Sequence, residues 1–444
     1  MSKRSYLSVF LAVVAASVLS YEADAQTYGH FTPYSIYGVG ELSSAGTAYN
    51  SSMAGVGIAG RDNRYLNILN PASVTARDSL SVLIDFSAYS DNKIFTQGDL
   101  KSVYNTANIG SLAMSFPIYK SSAFMIGITP YSGTGFGYRF HYDDPSVIGH
   151  TGDISYTAEG KGALYQAFLG AGVTFFNRFS VGAQAIYYFG QTDKSYTTSF
   201  SDASYSGVKN GQSISLNAVG GRFGVQYEQP LGNGDVICAG ATYTLNSKLM
   251  GYLEDYSYST SSAATDTLKY RADTLTAAAS KARLASQIGV GLSYRHSDRW
   301  MVELDYTFAD WRNAGLSNYS AFRGNTGTTS QYSSFSSNVA HNVRLGFEYV
   351  PNRNDIRYYF NKVTYRGGLY YKQDYFKVDG YPINAYGLTL GLTFPLNRRY
   401  NSISLGVELG QRGTVKSNLI RENYVNFTLG ISIFDIWFEK HKYM

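Results

Sequence analysis

The chain has 444 residues, 44% of them hydrophobic and 16% charged, with a formal net charge of +5. This modest charge is spread along the sequence, which excludes the dense basic surface of a nucleic-acid-binding protein, so we expect no nucleic-acid partner. The single cysteine, Cys238, excludes an intramolecular disulfide; the 41 tyrosines and 45 glycines are typical of a membrane–water interface and of curved strands.

Residues 1–25 have the layout of a secretory signal peptide. Lys3 and Arg4 precede an apolar stretch at 7–19, and Ala23-Asp24-Ala25 forms an A-x-A cleavage site. The apolar stretch is too short to span a membrane as a helix. We therefore predict Sec-type export, with Gln26 as the first residue of the mature chain.

Residues 26–77 form a segment rich in Gly, Ala and Asn, without sustained alternation of apolar and polar residues. Its Gly55–Gly60 stretch matches the pattern G-x-G-x-x-G, but no buried strand precedes it and no βαβ unit surrounds it, so a nucleotide site is not expected. The composition favours a compact segment in a confined space, such as the lumen of a barrel.

From residue 78 onward, apolar and polar residues alternate in long runs. A β-strand points successive side chains to opposite faces, so each run predicts a strand with one apolar and one polar face. We predict fourteen strands: 79–90, 108–118, 123–140, 160–175, 179–196, 213–227, 235–250, 284–294, 300–311, 338–349, 362–376, 384–394, 402–411 and 424–434.

The strand count and the loop lengths favour a transmembrane antiparallel β-barrel at residues 78–434. Short turns alternate with long loops, the longest being 251–282, as in barrels with short periplasmic turns and long external loops. An exported sandwich or propeller could also alternate, but strands of this length exceed those usual in soluble sheets. We expect an integral protein of the Gram-negative outer membrane, in contact with its lipid and lipopolysaccharide, with a periplasmic tail at 435–444.

The alternation also predicts which charges face the lumen, because a charge facing lipid would be costly. We expect a lumenal polar network in contact with the N-terminal segment, in either a structural or a gating role. Its members would be Asp85, Arg139, Glu303, Asp305, Arg344, Glu348 and Glu408.

Three stretches lie ahead of the strands: Gly38–Leu42, Ala54–Ala59 and Asn70-Pro71-Ala72-Ser73. They resemble the long-chain fatty-acid transporter (FadL-like) family. The Tyr34–Gly38 opening and the closing Asp435–Phe438 stretch resemble the Bacteroidetes branch of such proteins. The resemblance implies that residues 26–77 form a hatch plugging the barrel, with Asn70, Pro71 and Ala72 as the hatch motif; an ordinary loop turn is the alternative.

The resemblance also implies a sideways opening at a kinked third strand. Here that strand contains Pro130, which cannot donate to a ladder, and Gly residues that remove side chains from it. The stretch could equally be a bend that lets the barrel close around a plug. The residues of this candidate opening are Gly127, Pro130, Gly133, Gly135 and Gly137.

The implied function is passive uptake of a hydrophobic or amphipathic small molecule by hatch movement and lateral exit. Capture residues are expected in the long loop at Tyr252, Leu253, Tyr256 and Tyr258; surface decoration facing lipopolysaccharide is the alternative. The inward set leans acidic, and only Arg344 and Arg139 could hold a carboxylate, which leaves a fatty-acid cargo in doubt.

An alternative function is a FadL-like barrel that serves as a platform or shuttle for secreted or other outer-membrane proteins. An enzyme is not expected, because the six histidines show neither a nucleophile motif nor metal-ligand spacing. No catalytic residue, metal or cofactor is therefore predicted.

Overall fold

The computed structural model describes residues 30–44, 46–78, 80–119, 121–142, 144–259, 267–275, 280–324, 334–396 and 401–437. The predicted signal peptide, residues 26–29 of the N-terminal segment and the last seven residues of the tail lie outside these ranges. Among the described residues, no helix has both the length and the apolar character needed to cross a membrane.

Fourteen antiparallel strands form a closed wall, which confirms the predicted all-β transmembrane barrel. Strands are numbered β1 to β20 along the chain. Those of the wall are β2 (Ser81–Gln97), β3 (Leu100–Tyr119), β4 (Ser122–Tyr142), β5 (Ile154–Phe175), β6 (Phe179–Phe200), β7 (Val208–Gly232), β8 (Asp235–Thr244), β13 (Gln287–His296), β14 (Trp300–Asp310), β16 (Val339–Tyr349), β17 (Thr364–Val378), β18 (Tyr381–Pro395), β19 (Ser402–Arg412) and β20 (Arg421–Ile436).

The remaining elements are short or lie at one end of the wall. The strands are β1 (Glu41–Leu42), β9 (Ser247–Lys248), β10 (Met250–Ser259), β11 (Thr267–Leu275), β12 (Arg283–Leu284) and β15 (Phe335–Ser337). The α-helices are α1 (Ala48–Ser51), α2 (Pro145–Ile148) and α3 (Ser320–Arg323), and 3₁₀ turns occupy Pro33–Ile36, Pro71–Ala76, Leu316–Asn318, Tyr359–Lys362 and Lys416–Asn418.

The ring closes where β2 pairs with β20. Asp85 of β2 lies opposite Ser432 of β20 on one side and opposite Ala113 of β3 on the other. Closure leaves no free first or last edge, which is how a barrel avoids unpaired backbone groups.

Side chains alternate across the wall as the sequence predicts. In β14, Glu303 is 0% exposed whereas the adjacent Leu304 is 50% exposed, and apolar residues such as Leu292, Leu345 and Leu390 are likewise exposed on the outer face. An outer face of this kind is suited to lipid.

The two ends of the wall differ. At the short-turn end, β5 meets β6 through residues 176–178 and β13 meets β14 through residues 297–299. At the long-loop end, β4 to β7 are 21, 22, 22 and 25 residues long, against 11 for β14. The wall is therefore much taller on one side.

Two predicted loops are strands in the structure. β2 and β3 continue to Gln97 and Leu100 and join through residues 98–99, so the predicted loop between 90 and 108 is a hairpin. The expected seventh strand, 235–250, ends at Thr244, and the expected loop at 251–282 contains β10 paired with both β7 and β11. Both segments are rich in polar residues, so their alternation of apolar and polar side chains is a weaker signal than that of the aliphatic strands.

The N-terminal segment (residues 30–78, without residue 45) packs against the inner face of the wall. Its buried residues Tyr34, Ile36, Tyr37, Leu66 and Val74 share one hydrophobic core with residues of the wall strands. The interior is thus partly filled by the chain itself, and the wall positions its polar contacts with the N-terminal segment.

Candidate functional site

The Gly55–Gly60 stretch meets two carboxylates of β14. Asp305 accepts hydrogen bonds from the backbone N–H groups of Gly57 (2.8 Å) and Ile58 (3.0 Å), and Glu303 accepts one from Ala59 (2.9 Å). A Cβ at Gly60 would lie 2.9 Å from the Oε2 atom of Glu303. The glycines thus allow the backbone to approach two buried carboxylates, and the G-x-G-x-x-G match has a structural cause.

A second cluster of charges lies towards the short-turn end. Asp62 pairs with Arg64 and with Arg295 (2.9 Å to the latter), and Glu348 pairs with Arg366 (3.0 Å). The Arg366 guanidinium also lies over two rings of the N-terminal segment, 4.6 Å from the Tyr49 centroid and 4.4 Å from that of Tyr65. Breaking a buried pair by removing one partner is strongly destabilising, so these contacts hold the segment to the wall.

A third cluster lies towards the long-loop end. Glu41 of the N-terminal segment pairs with Lys93 (2.9 Å) and Arg412 (3.3 Å), and Arg412 also pairs with Asp374 (2.6 Å). The hydroxyl of Thr32 donates to Glu422. This cluster joins β1 to wall strands β2, β17, β19 and β20.

The Asn70–Ala72 turn lies against glycines of the wall. The Asn70 side chain accepts from the Ala72 N–H (3.0 Å) and donates to the carbonyls of Ile58 (2.8 Å) and Val225 (3.2 Å). A Cβ at Gly224 would lie 2.0 Å from the Asn70 Oδ1 atom. The turn therefore needs a wall position without a side chain.

The pairing between β3 and β4 stops part-way up the wall. The described ladder runs from Tyr119 opposite Ser122 to Leu112 opposite Ile128. Above that point β4 pairs with β1, with Glu41 opposite Gly133 and Leu42 opposite Ser132. We call this place, where the N-terminal segment substitutes for a wall neighbour, the seam.

Backbone hydrogen bonds and aromatic rings complete the cover of the seam. Thr32 N–H donates to the Gly135 carbonyl (2.7 Å), and Ser43 N–H donates to that of Tyr131 (2.9 Å). On the β3 side, the ring of Phe31 stacks on Tyr104 with centroids 3.6 Å apart. The seam is thus closed by contacts between the N-terminal segment and both flanking strands.

A cavity of about 290 Å³ lies inside the wall and borders the seam. Pro130 and Tyr131 of β4 line it beside His30 and Ser43, and its lining also includes Arg222 and Arg344. Charged, hydroxyl and aromatic groups all contribute to its lining, so it suits a solute with both polar and apolar parts.

A loop from the long-loop end closes the lumen from above. We call residues 311–324 the capping loop; Trp311, Leu316 and Phe322 are buried in the same core as Tyr34 and Ile36. Gly38 N–H donates to the Phe322 carbonyl at 2.7 Å. The N-terminal segment is therefore covered by wall and loop together.

Lys194 of β6 joins three elements at this point. Its ammonium donates to the carbonyls of Ile36 (2.6 Å) and Ala321 (2.7 Å), and the side chain is 1% exposed. A spanning strand needs about 9–11 residues. Lys194 lies well beyond that length from Phe179, in the part of β6 that rises above the membrane, and burial lowers the pKa of its ammonium to about 7.

Comparison with known proteins gives a family and a fold. The model of the BamG family matches residues 1–444, the whole chain. The chain belongs to the BamG family. No curated protein matches it.

Solved structures with this fold include known transport proteins. The Ralstonia pickettii toluene transporter TbuX is 15% identical, with a TM-score of 0.53 over 88% of this chain and 98% of that one. The P. putida toluene transporter TodX is 14% identical, with a TM-score of 0.54 over 90% and 100%. A Pseudomonas aeruginosa FadL homologue is 11% identical, with a TM-score of 0.53 over 89% and 100%. The predicted FadL-like fold is confirmed.

The predicted polar network of this BamG-family barrel divides into two groups. Glu303 and Asp305 accept hydrogen bonds from the N-terminal segment, and Glu348 pairs with Arg366, which lies over two rings of that segment. Asp85 instead accepts from the Ser432 hydroxyl (2.7 Å), and Glu408 accepts from the Tyr370 hydroxyl, so both are bound within the wall. Arg344 lies opposite Asp305 and lines the cavity.

Arg139 does not belong to this network. It is exposed, and its neighbour Tyr138 is the inward residue, donating to the Pro33 carbonyl (3.0 Å). A bulge between Pro130 and Ser132 shifts the alternation of β4: the odd-numbered Met125 is buried below it and the even-numbered Phe136 above it. The prediction for Arg139 was wrong because one extra residue reverses every face that follows.

The expected capture residues lie on a strand and do not converge. Leu253 of β10 faces inward and packs on the core, whereas Tyr256 donates to Asp193 (3.0 Å) and stacks with Tyr258 on the other face. Tyr252 is exposed. Alternation along β10 separates Leu253 from the three tyrosines, so the four residues do not form one loop site.

The glycines of the third strand have separate surroundings. Gly127 lies below the seam, where a Cβ would meet Phe168 at 2.6 Å, and Gly133 lies at the seam, where a Cβ would meet His30 at 2.5 Å. Gly135 accepts from Thr32, and Gly137 faces Phe31. Only the upper three therefore lie beside the N-terminal segment.

Sequence reasoning missed most of the cationic partners. Lys93, Arg366 and Arg412 are buried and paired, so the interior is less acidic than we expected. The sequence held a signal for two of them: Arg366 follows the outward Tyr365 in β17, and Arg412 lies four residues after the inward Glu408 in β19. In the described part of the chain, no group of three or more His, Cys, Asp or Glu residues could hold a metal ion.

Proposed function

We propose that this protein is a gated outer-membrane conduit for amphipathic small molecules. Its N-terminal segment would act as the hatch, and the seam between β3 and β4 would be the exit into the membrane. The observation that carries the proposal is the interrupted β3–β4 ladder, sealed by β1 and bordered by the cavity.

The seam is the place where a wall can open at low cost. Elsewhere, opening would break a continuous ladder, and unpaired backbone groups cost several kcal/mol each in lipid, of order 2–7 kcal/mol. At the seam β3 and β4 are already unpaired, so withdrawal of β1 from Ser132 and Gly133 breaks only its own short ladder and leaves a gap without separating β3 from β4.

The lining of the cavity bears on the cargo. The toluene transporters TbuX and TodX share the fold, which supports passage of an apolar body. The cavity of this chain also presents Arg222, Arg344 and several hydroxyl groups. We therefore propose a cargo with an apolar part and a polar head, taken up passively from the external side.

A cross-link between the hatch and the wall tests the exit route. Leu42 and Ser132 are directly opposite residues, a spacing that a disulfide can bridge. In a Cys238→Ala background, Leu42→Cys with Ser132→Cys should abolish protein-dependent uptake of N-phenyl-1-naphthylamine when oxidised and restore it on reduction. The protein is reconstituted in vesicles whose outer leaflet is lipopolysaccharide, because this leaflet slows entry of the dye without the protein.

The matched control is Ser87→Cys with Ser111→Cys, which links two wall strands whose hydroxyls are 2.7 Å apart and leaves the hatch free. This pair should conduct in both redox states. Equal uptake by the oxidised and reduced Leu42–Ser132 pair would overturn exit through the seam.

A second candidate function is a platform for secreted or other outer-membrane proteins. It is favoured by the tall side of the wall, where β4 to β7 reach 21 to 25 residues and exceed the length needed for spanning. Removing residues 198–208, the tip of the β6–β7 hairpin above Lys194, should then release a bound partner without changing dye uptake, whereas the conduit proposal expects no partner there.

A further inference from the structure

The longest turn at the short-turn end exposes an apolar tip. Residues 350–363 join β16 to β17, and within them Ile356 is 100% exposed, Phe360 69% and Tyr358 61%. The other described turns at this end are much shorter. A cluster of large apolar side chains in water marks a surface that binds protein or membrane.

Hydrogen bonds within the turn fix the backbone of the tip. The Asp355 carboxylate accepts from the N–H groups of Arg357 (2.7 Å) and Tyr358 (2.8 Å) and from the Asn361 amide. The backbone N–H of Asn352 donates to the Asn361 carbonyl at 2.8 Å. A turn built in this way loses little entropy on binding, so its exposed side chains are preorganised.

The turn is tied to the lipid-facing surface of the wall. Tyr365, which alternates with the inward Arg366, donates to the Phe360 carbonyl (3.3 Å), and Tyr359 donates to the Pro395 carbonyl of β18 (2.9 Å). Tyr349 and Tyr365, at the two strand ends, are exposed on the outer face. The apolar tip is therefore continuous with the surface that faces lipid.

The charges of the turn also suit contact with lipid. Arg357 is exposed, and the Lys362 ammonium lies 5.5 Å from the Tyr359 ring. Asp355, the acidic residue of the turn, is occupied by the hydrogen bonds above. Aromatic rings beside cations suit a phospholipid interface, where rings enter the apolar boundary and cations meet phosphates.

We infer that residues 350–363 form an anchor that inserts Ile356, Tyr358 and Phe360 into the headgroup region of the inner leaflet. The inference needs the short-turn end to face the periplasm but is independent of whether the barrel conducts a solute or binds a protein. The anchor lies roughly opposite the seam around the ring.

Site-specific fluorescence tests the anchor in the intact protein. In the Cys238→Ala background, Ile356→Cys carries a bimane label in nanodiscs of phosphatidylethanolamine and phosphatidylglycerol. We expect blue-shifted emission, strong quenching by doxyl-labelled lipid and weak quenching by iodide. Arg299→Cys, exposed in the neighbouring 297–299 turn, is the control and should show the reverse.

Two results would overturn the anchor. One is iodide quenching at Ile356→Cys as strong as at Arg299→Cys, which would place the tip in water. The other is protection from iodide in native outer-membrane fragments but not in lipid nanodiscs, which would mean that a protein covers the tip.

Discussion

At the scale of single residues, this barrel is held closed by polar groups that pair across long stretches of chain. Alternation in β14 predicts that Glu303 and Asp305 face inward, and they do. It does not predict that they accept backbone N–H groups from Gly57, Ile58 and Ala59, because those partners are more than 240 residues away. The face to which a side chain points is a local property of its strand, whereas its hydrogen-bond partner depends on how the whole chain is folded.

Lys194 should make closure of the capping loop depend on pH. Burial lowers the pKa of its ammonium to about 7, and a hydrated lysine has a pKa near 10.4. Between these pH values Lys194 is protonated when the capping loop is open and neutral when it is closed. The equilibrium constant for opening of the loop therefore falls as pH rises, by up to about tenfold per pH unit. Below pH 7 both states are protonated and the dependence ends.

Pulsed EPR distances between spin labels on Ser317 of the capping loop and Asn210 of β7 measure the two populations between pH 6 and 10. Lys194→Met should remove the slope above pH 7. A variant that keeps the slope of the parent would show that another group titrates.

At the scale of elements, the fit between turn and wall decides where the N-terminal segment sits. The sequence indicated a compact Gly-rich segment and an Asn-Pro-Ala turn. It could not indicate that wall glycines such as Gly182, Gly224 and Gly240 receive this segment, because an inward glycine is common to all barrels. Likewise, Pro130 marked a distortion of β4 in the sequence. The sequence did not show that the bulge leaves one residue unpaired, and that residue reverses the faces of the side chains up to Arg139.

Gly224→Ala should displace the Asn70–Ala72 turn. The new methyl would lie 2.0 Å from the Asn70 Oδ1 atom and 2.8 Å from the Pro71 ring, so one side must move. Overpacking of this kind costs about 1–3 kcal/mol. Hydrogen exchange of residues 57–72 should rise several-fold as the turn loses its contact.

Gly367→Ala is the matched control, since its new Cβ would meet nothing closer than the Thr389 carbonyl at 3.6 Å. It should leave exchange in the N-terminal segment unchanged. Equal protection in both variants would mean that the wall yields readily and that the glycine at 224 is not required.

At the scale of the whole molecule, the ring is complete without the segment that fills it. β2 pairs with both β3 and β20, so no wall strand depends on residues 26–77 except at the seam. Strand number and alternation follow from sequence periodicity, whereas the FadL-like resemblance rests on the three stretches ahead of the strands. The uneven height of the wall could not be predicted from the sequence, because the parts of strands above the membrane alternate less clearly between apolar and polar residues.

Deleting residues 26–77 should leave a folded but leaky barrel. The inward charges would become hydrated in an open lumen, and the seam would lose its cover, so conductance in planar bilayers should rise well above that of the full chain. Heat-modifiable migration on gels reports whether the wall still forms. A folded deletion variant with unchanged conductance would show that other elements seal the pore.

The pairing of β2 with β20 has a consequence for the order of biogenesis. The N-terminal segment emerges first, yet its partners are spread around the ring as far as Arg412 and Glu422, near the end of the chain. These contacts are complete only when β20 pairs with β2 and closes the ring. A chain truncated before residue 421 would thus lack both the last strand and the final contacts of the first segment, so the same strand completes the wall and the sealing of the lumen.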